Sequence, residues 1–402
     1  MNGQPPSPPA FKKQVKHPFG MFELPKLPKE AFFNPTIARS NGTLWMFCRR
    51  NINRGEGHKL EYNDIVAFPI DRTGNVIGER KEIRLPQGFG LRGREHFEDP
   101  RAMTLGSGNV LLTVCTFIPY NPRTRVGSWA HQAAFVLGPS LECIGRTEDP
   151  VHGRNYSQAT VNDGHEKNWT WFFTGGGVHC VYRHDPMEVV RWSDTMDRKT
   201  HVFNGSKKTK WAWGEIRGGT NPVKVGNLWW TFFHSSTDWR LLDGKRCYHM
   251  GALAFEETGG GGFELARISK KPILSGTYHG FPYDPRFPIC VFPGGAEYMD
   301  GEWFIVYGIN DIECGWIRIP HASLEETTTI HLDHQPSPQD NRLLQPRTKG
   351  KRAWVRPSRR ANAGVKRVLR QRKADGGTSQ EPAQPGVAVL PEHPAEPATS
   401  SQ

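Results

Sequence analysis

Five copies of one short strand pattern constrain the fold of this chain more than any other feature. Each copy has six to nine residues, is rich in aromatic and β-branched side chains, and in most cases follows a Gly, Asn or Asp turn such as Ser40-Asn41-Gly42. The copies start 59 to 75 residues apart, and a pattern that returns at roughly regular spacing indicates a repeat architecture. The five copies are Thr43–Arg49, Asn109–Phe117, Asn168–Thr174, Asn227–Phe233 and Glu302–Tyr307.

Each copy is flanked by two further strand-like segments. The order of short strand, aromatic strand and alternating strand is the order of a propeller blade, with its first strand innermost. We therefore predict an all-β, five-bladed β-propeller over residues 30–332; a β-sandwich with irregular loops is the alternative, but it does not explain five repeats of one order. The short segments are Asn34–Ala38, Asp99–Met103, Ser157–Val161, Gly219–Val223 and Phe292–Ala296, and the alternating segments are Asp64–Ile70, His131–Leu137, Val178–Tyr182, Gly251–Phe255 and Gly315–Ile319.

The net charge of +12 belongs to the C-terminal part of the chain rather than to the predicted propeller. Residues 341–373 contain thirteen Lys and Arg and no Asp or Glu, so the rest of the chain carries 12 − 13 = −1. We predict a Pro-rich lead over residues 1–29 that packs as a clasp, and a disordered tail over residues 333–402 that contains this basic segment. The near-neutral body argues against a nucleic-acid-binding fold, although the tail itself could bind nucleic acid or another anionic partner.

The seven cysteines are widely spaced, odd in number and without a Cys-x-x-Cys pair. This pattern predicts reduced thiols in a cytoplasmic compartment, with neither a disulfide frame nor a zinc site. We predict no cofactor and no metal site. The N-terminal residues lack the apolar segment of a signal peptide, and no run approaches the roughly 20 apolar residues that span a bilayer.

The segment Phe97-Glu98-Asp99-Pro100-Arg101 is the sharpest candidate for chemistry. It lies in a predicted innermost strand, where a propeller places the residues of its central channel. Glu98 and Asp99 would point to opposite faces of a regular strand, so we expect at most one carboxylate in the channel. A buried carboxyl there could act as a general acid, with Arg101 holding it. An Asx turn at Asp99 with Arg101 as a surface partner explains the same residues equally well.

Three further segments could bind a polar ligand. His165 to Trp169 places charged residues before an aromatic strand, which suits a sugar, although a solvated turn explains it equally. Arg217-Gly218-Gly219 joins an anion-binding side chain to glycines that allow a close backbone approach, without the Lys-Ser/Thr of a Walker loop. Tyr248-His249 and Tyr307–Asp311 complete the set, and a lone histidine is more often packed or solvated than a ligand.

These motifs, taken together, resemble those of a known family. Their order along the chain is similar to that in the β-mannoside phosphorylases and hydrolases of glycoside hydrolase family 130, and in the related β-1,2-mannosyltransferases. The resemblance spans residues 32–325. The motifs that carry it are Asn34-Pro35, Glu98–Arg101, Glu166–Trp169, Gly218–Thr220, Tyr248-His249-x-Gly251, Phe292-Pro293-x-Gly295 and Tyr307-Gly308-x-Asn310-Asp311.

The resemblance implies an inverting reaction at a mannosidic bond. It assigns Asp99 as the general acid, with phosphate as the nucleophile of a phosphorylase, so that no enzyme base is needed. His249, Arg217 and Lys167 are then the basic groups near the phosphate, and Asp311 holds sugar hydroxyls. Further substrate-binding residues under this hypothesis are Asn34, Arg101, Glu166 and Asn168.

The substrate class follows from the same hypothesis, while the acceptor stays open. The donor would be a sugar, a sugar phosphate or a nucleotide sugar, and the acceptor phosphate, water or a second sugar. A hydrolase would need a second carboxylate about 6.5–9.5 Å from the acid, for which Glu166, Glu215 and Glu297 are candidates. The alternatives are an enzyme whose nucleic-acid-linked or other anionic acceptor is recruited by residues 341–373, and a glycan-binding propeller without catalysis.

Overall fold

The computed structural model describes the chain between residues 17 and 329, with internal gaps. All statements about structure below concern these residues. The described ranges are 17–52, 62–86, 96–118, 129–148, 167–175, 177–192, 199–204, 209, 211–239, 245–259, 261–276 and 289–329.

The described residues form five antiparallel sheets that follow one another along the chain. Within each sheet, strands that are consecutive in sequence pair as neighbours, which is the meander of a propeller blade. The first blade contains β2 (Glu30–Ser40), β3 (Thr43–Ile52), β4 (Tyr62–Ile70) and β5 (Lys81–Ile83); the second, β6 (His96–Thr104), β7 (Val110–Ile118), β8 (Trp129–Leu137) and β9 (Cys143–Glu148); the third, β10 (Thr170–Thr174), β11 (Gly177–His184), β12 (Met187–Trp192) and β13 (Lys199–Asn204).

The last two blades include strands that are distant in sequence. The fourth blade ends in a strand from the C-terminal side, and the fifth takes its outermost strand from the N-terminal side. The fourth contains β14 (Val223–Val225), β15 (Leu228–Trp239), β16 (Lys245–Glu257), β17 (Phe263–Ser269) and β22 (Thr328–Thr329), with β18 (Leu274–Ser275) paired to β16; the fifth contains β19 (Val291–Met299), β20 (Glu302–Ile309), β21 (Glu313–Pro320) and β1 (Phe19–Met21).

The five-bladed β-propeller predicted from the sequence is confirmed. In four blades the aromatic strand is the second strand, with the predicted short segment on its inner side and the alternating segment on its outer side. In the third blade the aromatic strand is the first one described, because the predicted inner segment 157–161 lies outside the described residues. Five separate meander sheets exclude the β-sandwich alternative.

Hydrophobic side chains fill the space between neighbouring blades. Five clusters of buried residues join blades one and two, two and three, three and four, four and five, and five and one. Large side chains such as Phe47, Phe172 and Trp303 are fully buried in them, and burying each one stabilises the fold by roughly 1.5–3 kcal/mol. Since every blade shares a core with two neighbours, the innermost strands are held around one axis.

The ring is closed where the N-terminal strand β1 pairs with β21 of the fifth blade. Beyond β1, Phe22 donates its backbone N–H to the carbonyl of Cys314 at 3.0 Å, and Lys26 forms an ion pair of 2.6 Å with Glu313. Part of the segment predicted as an N-terminal lead is therefore the outer strand of the last blade. The boundaries predicted at residues 29 and 332 stay predictions.

A short helix, α1 (His321–Thr327), follows the fifth blade and leads into β22 on the edge of the fourth. Its first residue accepts a hydrogen bond of 3.0 Å at Nδ1 from the indole of Trp303. Within the described residues, this helix is too short and too polar to cross a membrane. The predicted disordered tail, residues 333–402, lies outside the described residues.

Candidate active site

The innermost strands of three blades are bent by β-bulges at the positions of the predicted motifs. Register shifts lie between Phe33 and Thr36 in β2 and between Glu98 and Arg101 in β6, and a third lies in β19 after Pro293. Asn34 and Asp99, which each precede a proline, both have φ = 50°. A non-glycine residue in this left-handed region is uncommon, and Asn and Asp tolerate it better than most. These bulges redirect the side chains near the axis.

Glu98 and Asp99 reach the same arginine, which corrects the expectation that they lie on opposite faces. Arg49, at the end of the aromatic strand β3, donates from Nη2 to Glu98 Oε1 at 2.6 Å and from Nη1 to Asp99 Oδ1 at 3.5 Å. In a regular strand, successive side chains alternate between faces. The bulge and the left-handed φ of Asp99 cancel this alternation, so both carboxylates face one pocket.

Asp99 is held as a carboxylate by its neighbours. Asn34 Nδ2 donates to its Oδ1 at 2.8 Å. Burial by itself would raise the pKa of Asp99, but the positive charges of Arg49, Lys167 and Arg101, together with the Asn34 hydrogen bond, outweigh burial and lower it. The free pocket therefore presents an ionised Asp99.

The pKa of Glu98 is shifted in the opposite direction. Asn63 Nδ2 donates to Glu98 Oε1 at 2.9 Å, beside the bond from Arg49. Burial raises the pKa of Glu98, and the negative charges of Asp99 and Asp311 add to this, against the opposing effect of Arg49 and Lys167. Two adjacent carboxylates thus have pKa values that are shifted apart, an arrangement typical of acid–base sites.

Arg101 is buried at 2% exposure, and part of its guanidinium has no partner in the described part of the chain. Its Nη1 donates to the carbonyls of Asp99 and Pro100 at 3.3 and 2.9 Å, and the group lies 4.9 Å from the centroid of Phe292. Its Nε and Nη2 make no hydrogen bond to any described residue. Burial lowers the pKa of Arg101 to about 10, which still leaves it charged at neutral pH. A buried cation with open donors suits an anionic ligand.

His234, on the aromatic strand β15, lies next to this arginine. Its ring is 4.5 Å from that of Phe292 and stacks on Tyr248 at 6.0 Å. Burial lowers its pKa well below the ordinary value, and the charges of Arg101 and Arg217 lower it further, so the ring is neutral. Nδ1 of this buried ring has no hydrogen-bond partner among the described residues.

The remaining charged candidates surround the carboxylate pair. Lys167 is exposed, and its charge acts on Glu98, Asp99 and His234. Asp311, in the left-handed turn after β20, acts on Arg49, Glu98 and Tyr248. Strands of the first two blades, the segment before β10 and the turn after β20 therefore contribute charge to one region of the axis.

Arg217 joins the site through its backbone as well as its charge. Its N–H and C=O bond to the C=O and N–H of His234 at 2.8 and 3.0 Å, while Nη2 donates to Glu215 at 2.8 Å. The next residue, Gly218, touches a neighbouring blade rather than open space: a Cβ there would be 1.9 Å from the carbonyl oxygen of Asn168. The glycine predicted to admit a ligand is thus required by packing between blades.

His249 lies on the opposite face of its strand from Tyr248 and does not belong to the group of charged residues described above. Its Nε2 is 2.9 Å from the hydroxyl of Thr237, and its Nδ1 bonds to the hydroxyl of Ser275. Burial alone lowers its pKa to about 4. Because strand residues alternate, Tyr248 faces His234 and the axis, and His249 cannot. His234, which the sequence motifs did not single out, is the histidine whose ring lies beside Tyr248 and Phe292.

Two of the three carboxylates considered as the base of a hydrolase are bound by arginines. Glu297 is bound by Arg39 and Arg72 at 2.6 and 3.1 Å, and Glu215 is exposed and bound by Arg217. Glu166 lies outside the described residues. Neither described candidate is a free base beside Asp99.

The sequence offered one signal for the two residues it did not single out. Arg49 and His234 are both polar residues that directly follow an apolar run on an aromatic strand. A polar residue at that position has no place in the core between blades. No group of three His, Cys, Asp or Glu that could hold a metal ion is found among the described residues.

Comparison with known proteins shows similarity in fold but not in sequence. No protein-family model matches the chain, and no curated protein matches it. Among solved structures, a candidate glycoside hydrolase from Parabacteroides distasonis is similar at a TM-score of 0.58 and 15% identity, over 76% of this chain and 96% of that one. The β-1,2-mannobiose phosphorylase of Listeria innocua, solved with β-1,2-mannobiose, is similar at 0.51 and 14%, over 77% and 98%.

A third similar structure comes from the GH130 family of mannoside phosphorylases, described as containing hydrolases that target β-1,2-mannosidic linkages in Candida mannan. It has a TM-score of 0.52 and 14% identity, over 72% of this chain and 84% of that one. At sequence identities this low, the structural similarity establishes a shared propeller fold and nothing further. The resemblance noted in the sequence motifs is confirmed at the level of the fold.

Proposed function

We propose that this protein is a carbohydrate-active enzyme that transfers or phosphorolyses a mannose-like glycosyl unit with inversion, with Asp99 as the general acid. The observation that carries the proposal is that Arg101, whose Nε and Nη2 bond to no described residue, lies close enough to Asp99 for its charge to lower the pKa of that carboxyl. A carboxyl group and an anion site side by side are the two parts that phosphorolysis needs. The similar mannoside phosphorylase folds support the choice of sugar.

The proposed reaction needs no enzyme base. A phosphate oxygen bound at Arg101 and His234 attacks the anomeric carbon, the glycosidic C–O bond breaks, and the leaving oxygen takes the proton of Asp99. The products are mannose 1-phosphate and the shortened sugar; synthesis is the reverse. Bound phosphate also helps Asp99 to take up the proton that it donates. The negative charge of the phosphate beside Asp99 raises the pKa of that carboxyl toward neutral pH.

Among the described residues, the candidate carboxylates favour phosphate or a sugar as the acceptor over water. Activation of water in an inverting hydrolase requires a second carboxylate about 6.5–9.5 Å from the acid. Glu215 and Glu297 are both bound by arginines. We therefore favour a phosphorylase or a transferase over a hydrolase, with Lys167, Asn168 and Asp311 holding sugar hydroxyls and Asn34 orienting the acid.

Product analysis tests the proposal. Purified protein is incubated with mannose 1-phosphate or GDP-mannose and a mannose or mannobiose acceptor, and separately with mannobiose and phosphate. We expect chain extension in the first reaction and mannose 1-phosphate in the second, and a loss of at least 1,000-fold in Asp99→Asn, roughly the contribution of a general acid together with its correct charge. An unchanged rate in Asp99→Asn would remove the assignment; folded protein silent with both donors would reject mannosyl transfer.

The basic segment supports a second role, in which it tethers the enzyme to an anionic acceptor. Thirteen positive charges within residues 341–373 would neutralise nucleic-acid phosphates without sequence preference. Retention on duplex DNA is compared for the full chain and a chain ending at residue 340. Loss of retention on truncation supports tethering, and equal retention removes it. Tight mannobiose binding without any turnover would instead favour the non-catalytic glycan-binding alternative.

A further inference from the structure

Glu98 is a second carboxylate in the pocket, and the proposed reaction does not use it. Its Oε1 accepts hydrogen bonds from Arg49 at 2.6 Å and from Asn63 at 2.9 Å. Asn63 is itself fixed, because its Oδ1 accepts a bond of 2.7 Å from Asn51 Nδ2. The β-bulge at Asp99 turns both carboxylates to one pocket. Glu98 is thus held in a defined place beside the acid by neighbours on two other strands.

Charged and titratable groups face Glu98 from several elements. The positive ones are Arg49 on β3 and Lys167 before β10, and the negative ones are Asp99 on β6 and Asp311 after β20. The Cys115 thiol on β7 also lies near, and burial raises its pKa, so it is neutral. Nδ1 of His96 lies 3.4 Å from Nδ2 of Asn63, which is the atom that donates to Glu98.

Arg49 connects the two carboxylates. Burial would lower its pKa, but Glu98 and Asp99, followed by Asp311, raise it, so Arg49 stays charged. One of its Nη atoms is committed to Glu98 at 2.6 Å, and the other reaches Asp99 only at 3.5 Å. An arginine free of Glu98 would turn to pair fully with Asp99. Such a bidentate pair would keep the acid ionised and poorly able to protonate a leaving group.

We propose that Glu98 is a positioning residue for Asp99: its Oε1 holds Arg49 away from the acid, which keeps Asp99 able to take up a proton. This inference rests on the proposed function only in calling Asp99 the acid. Because the pKa of Glu98 is raised and that of Asp99 is lowered, Glu98 is already neutral when Asp99 takes up its proton, so Glu98 acts on Asp99 through the position of Arg49 and not through its own charge.

Carbon-13 NMR of the side-chain carboxyls tests the coupling directly. The full chain, labelled at Asp Cγ and Glu Cδ, is titrated by pH, with Asp99→Asn and Glu98→Gln used to assign the two signals. In the wild type, the Asp99 signal should move in two steps, one of them at the midpoint of Glu98. In Glu98→Ala, which removes the acceptor oxygen, the Asp99 midpoint should fall by roughly one pH unit, because Arg49 is released to pair with Asp99.

Two variants serve as controls. Glu302→Gln removes a carboxylate that is paired with Arg318 in the fifth blade, and it should leave the Asp99 midpoint unchanged. Glu98→Gln keeps an acceptor oxygen for Arg49 and should leave the Asp99 midpoint close to that of the wild type. An Asp99 midpoint that is equal in wild type and folded Glu98→Ala overturns the proposal. A single-step Asp99 signal in the wild type overturns it as well, and this measurement needs no variant to fold.

Enzyme kinetics give an independent readout once turnover is found. With mannose 1-phosphate and mannose as substrates, the alkaline limb of kcat/KM should move to lower pH in Glu98→Ala by the same amount as the NMR midpoint. A merely structural role would lower the rate without moving this limb. Failure of the mannosyl reaction would leave the NMR test intact, so the two proposals fail separately.

Discussion

At the scale of single residues, the pocket is defined by buried polar groups whose hydrogen-bonding capacity is incompletely used. Arg101 and His234 are at most 3% exposed, yet Arg101 Nε and Nη2 and His234 Nδ1 bond to no described residue. A buried donor without a partner costs about 1–3 kcal/mol. His249 is equally well buried, but both of its nitrogens bond to hydroxyls. Of the two histidines, only His234 therefore has a ring nitrogen open to a ligand among the described residues.

This contrast predicts which substitutions affect anion binding. Arg101→Met and His234→Ala should each weaken the binding of inorganic phosphate at least tenfold, which is about 1.4 kcal/mol, because each removes a buried group that the anion would satisfy. Isothermal titration calorimetry of the full chain provides the measurement. Arg318→Met, on the outer part of the fifth blade, is the matched control and should bind as the wild type does. Equal affinity in all four proteins would show that phosphate does not bind at Arg101.

At the scale of elements, the site depends on irregular strands and on close contacts between blades. Asn34 and Asp99 sit at bulges with φ near 50°. Asn221, in the turn before β14, accepts a bond from Trp171 N–H and donates to the carbonyl of Ala102, at 2.8 and 2.9 Å, so it ties three blades together near the axis. The innermost strands are therefore fixed to each other by backbone as well as by side chains.

Gly218 is the sharpest case of such a contact, and it supplies a prediction. A Cβ at Gly218 would lie 1.9 Å from the carbonyl oxygen of Asn168 and 2.7 Å from the His184 ring. Gly218→Ala should destabilise the protein by about 1–3 kcal/mol, as overpacking against backbone does. Gly259→Ala is the control, since nothing lies within 4 Å of its Cβ, and it should change stability by less than about 0.5 kcal/mol. Urea denaturation measures both, and similar values for the two would contradict the close contact.

At the scale of the whole molecule, the ring of blades buries ionisable groups that have to be neutral in the folded state. Burial lowers the pKa of His184 to about 3 and that of His249 to about 4, from an ordinary value of 6.5. Between these values the unfolded chain binds protons that the folded chain does not. The free energy of unfolding therefore has its full value above pH 6.5 and falls as the pH drops toward 4.

The expected slope is measurable. Each such histidine lowers the free energy of unfolding by about 1.4 kcal/mol for every pH unit inside this window. Urea denaturation at pH 8, 7, 6 and 5 should show a plateau between the first two and a decline after it, and His249→Asn should reduce the decline by about that amount per unit. An identical slope in wild type and His249→Asn would show that this ring is not neutralised by folding.

Much of the fold, and about half of the candidate site, could be predicted from the sequence. The aromatic strand pattern predicts the blades because it depends only on local alternation and on turns, both of which are encoded within a few residues. Asp99, Arg101, Lys167 and Asp311 were predicted, and their charges act on one region of the structure. Glu166 and the tail, residues 333–402, lie outside the described residues, so their predicted roles stay predictions.

The residues that sequence analysis misplaced share a physical cause. Whether a side chain faces the axis depends on strand register and on bulges, which are set by pairing with distant strands. The alternation rule therefore failed at Glu98, where a bulge intervenes, and it could not tell that Tyr248 rather than His249 faces His234. The sequence by itself determined the number and order of the blades, because each forms from local segments. Only the tertiary structure decided which polar side chains meet on the axis, because those meetings join residues that are far apart in the chain.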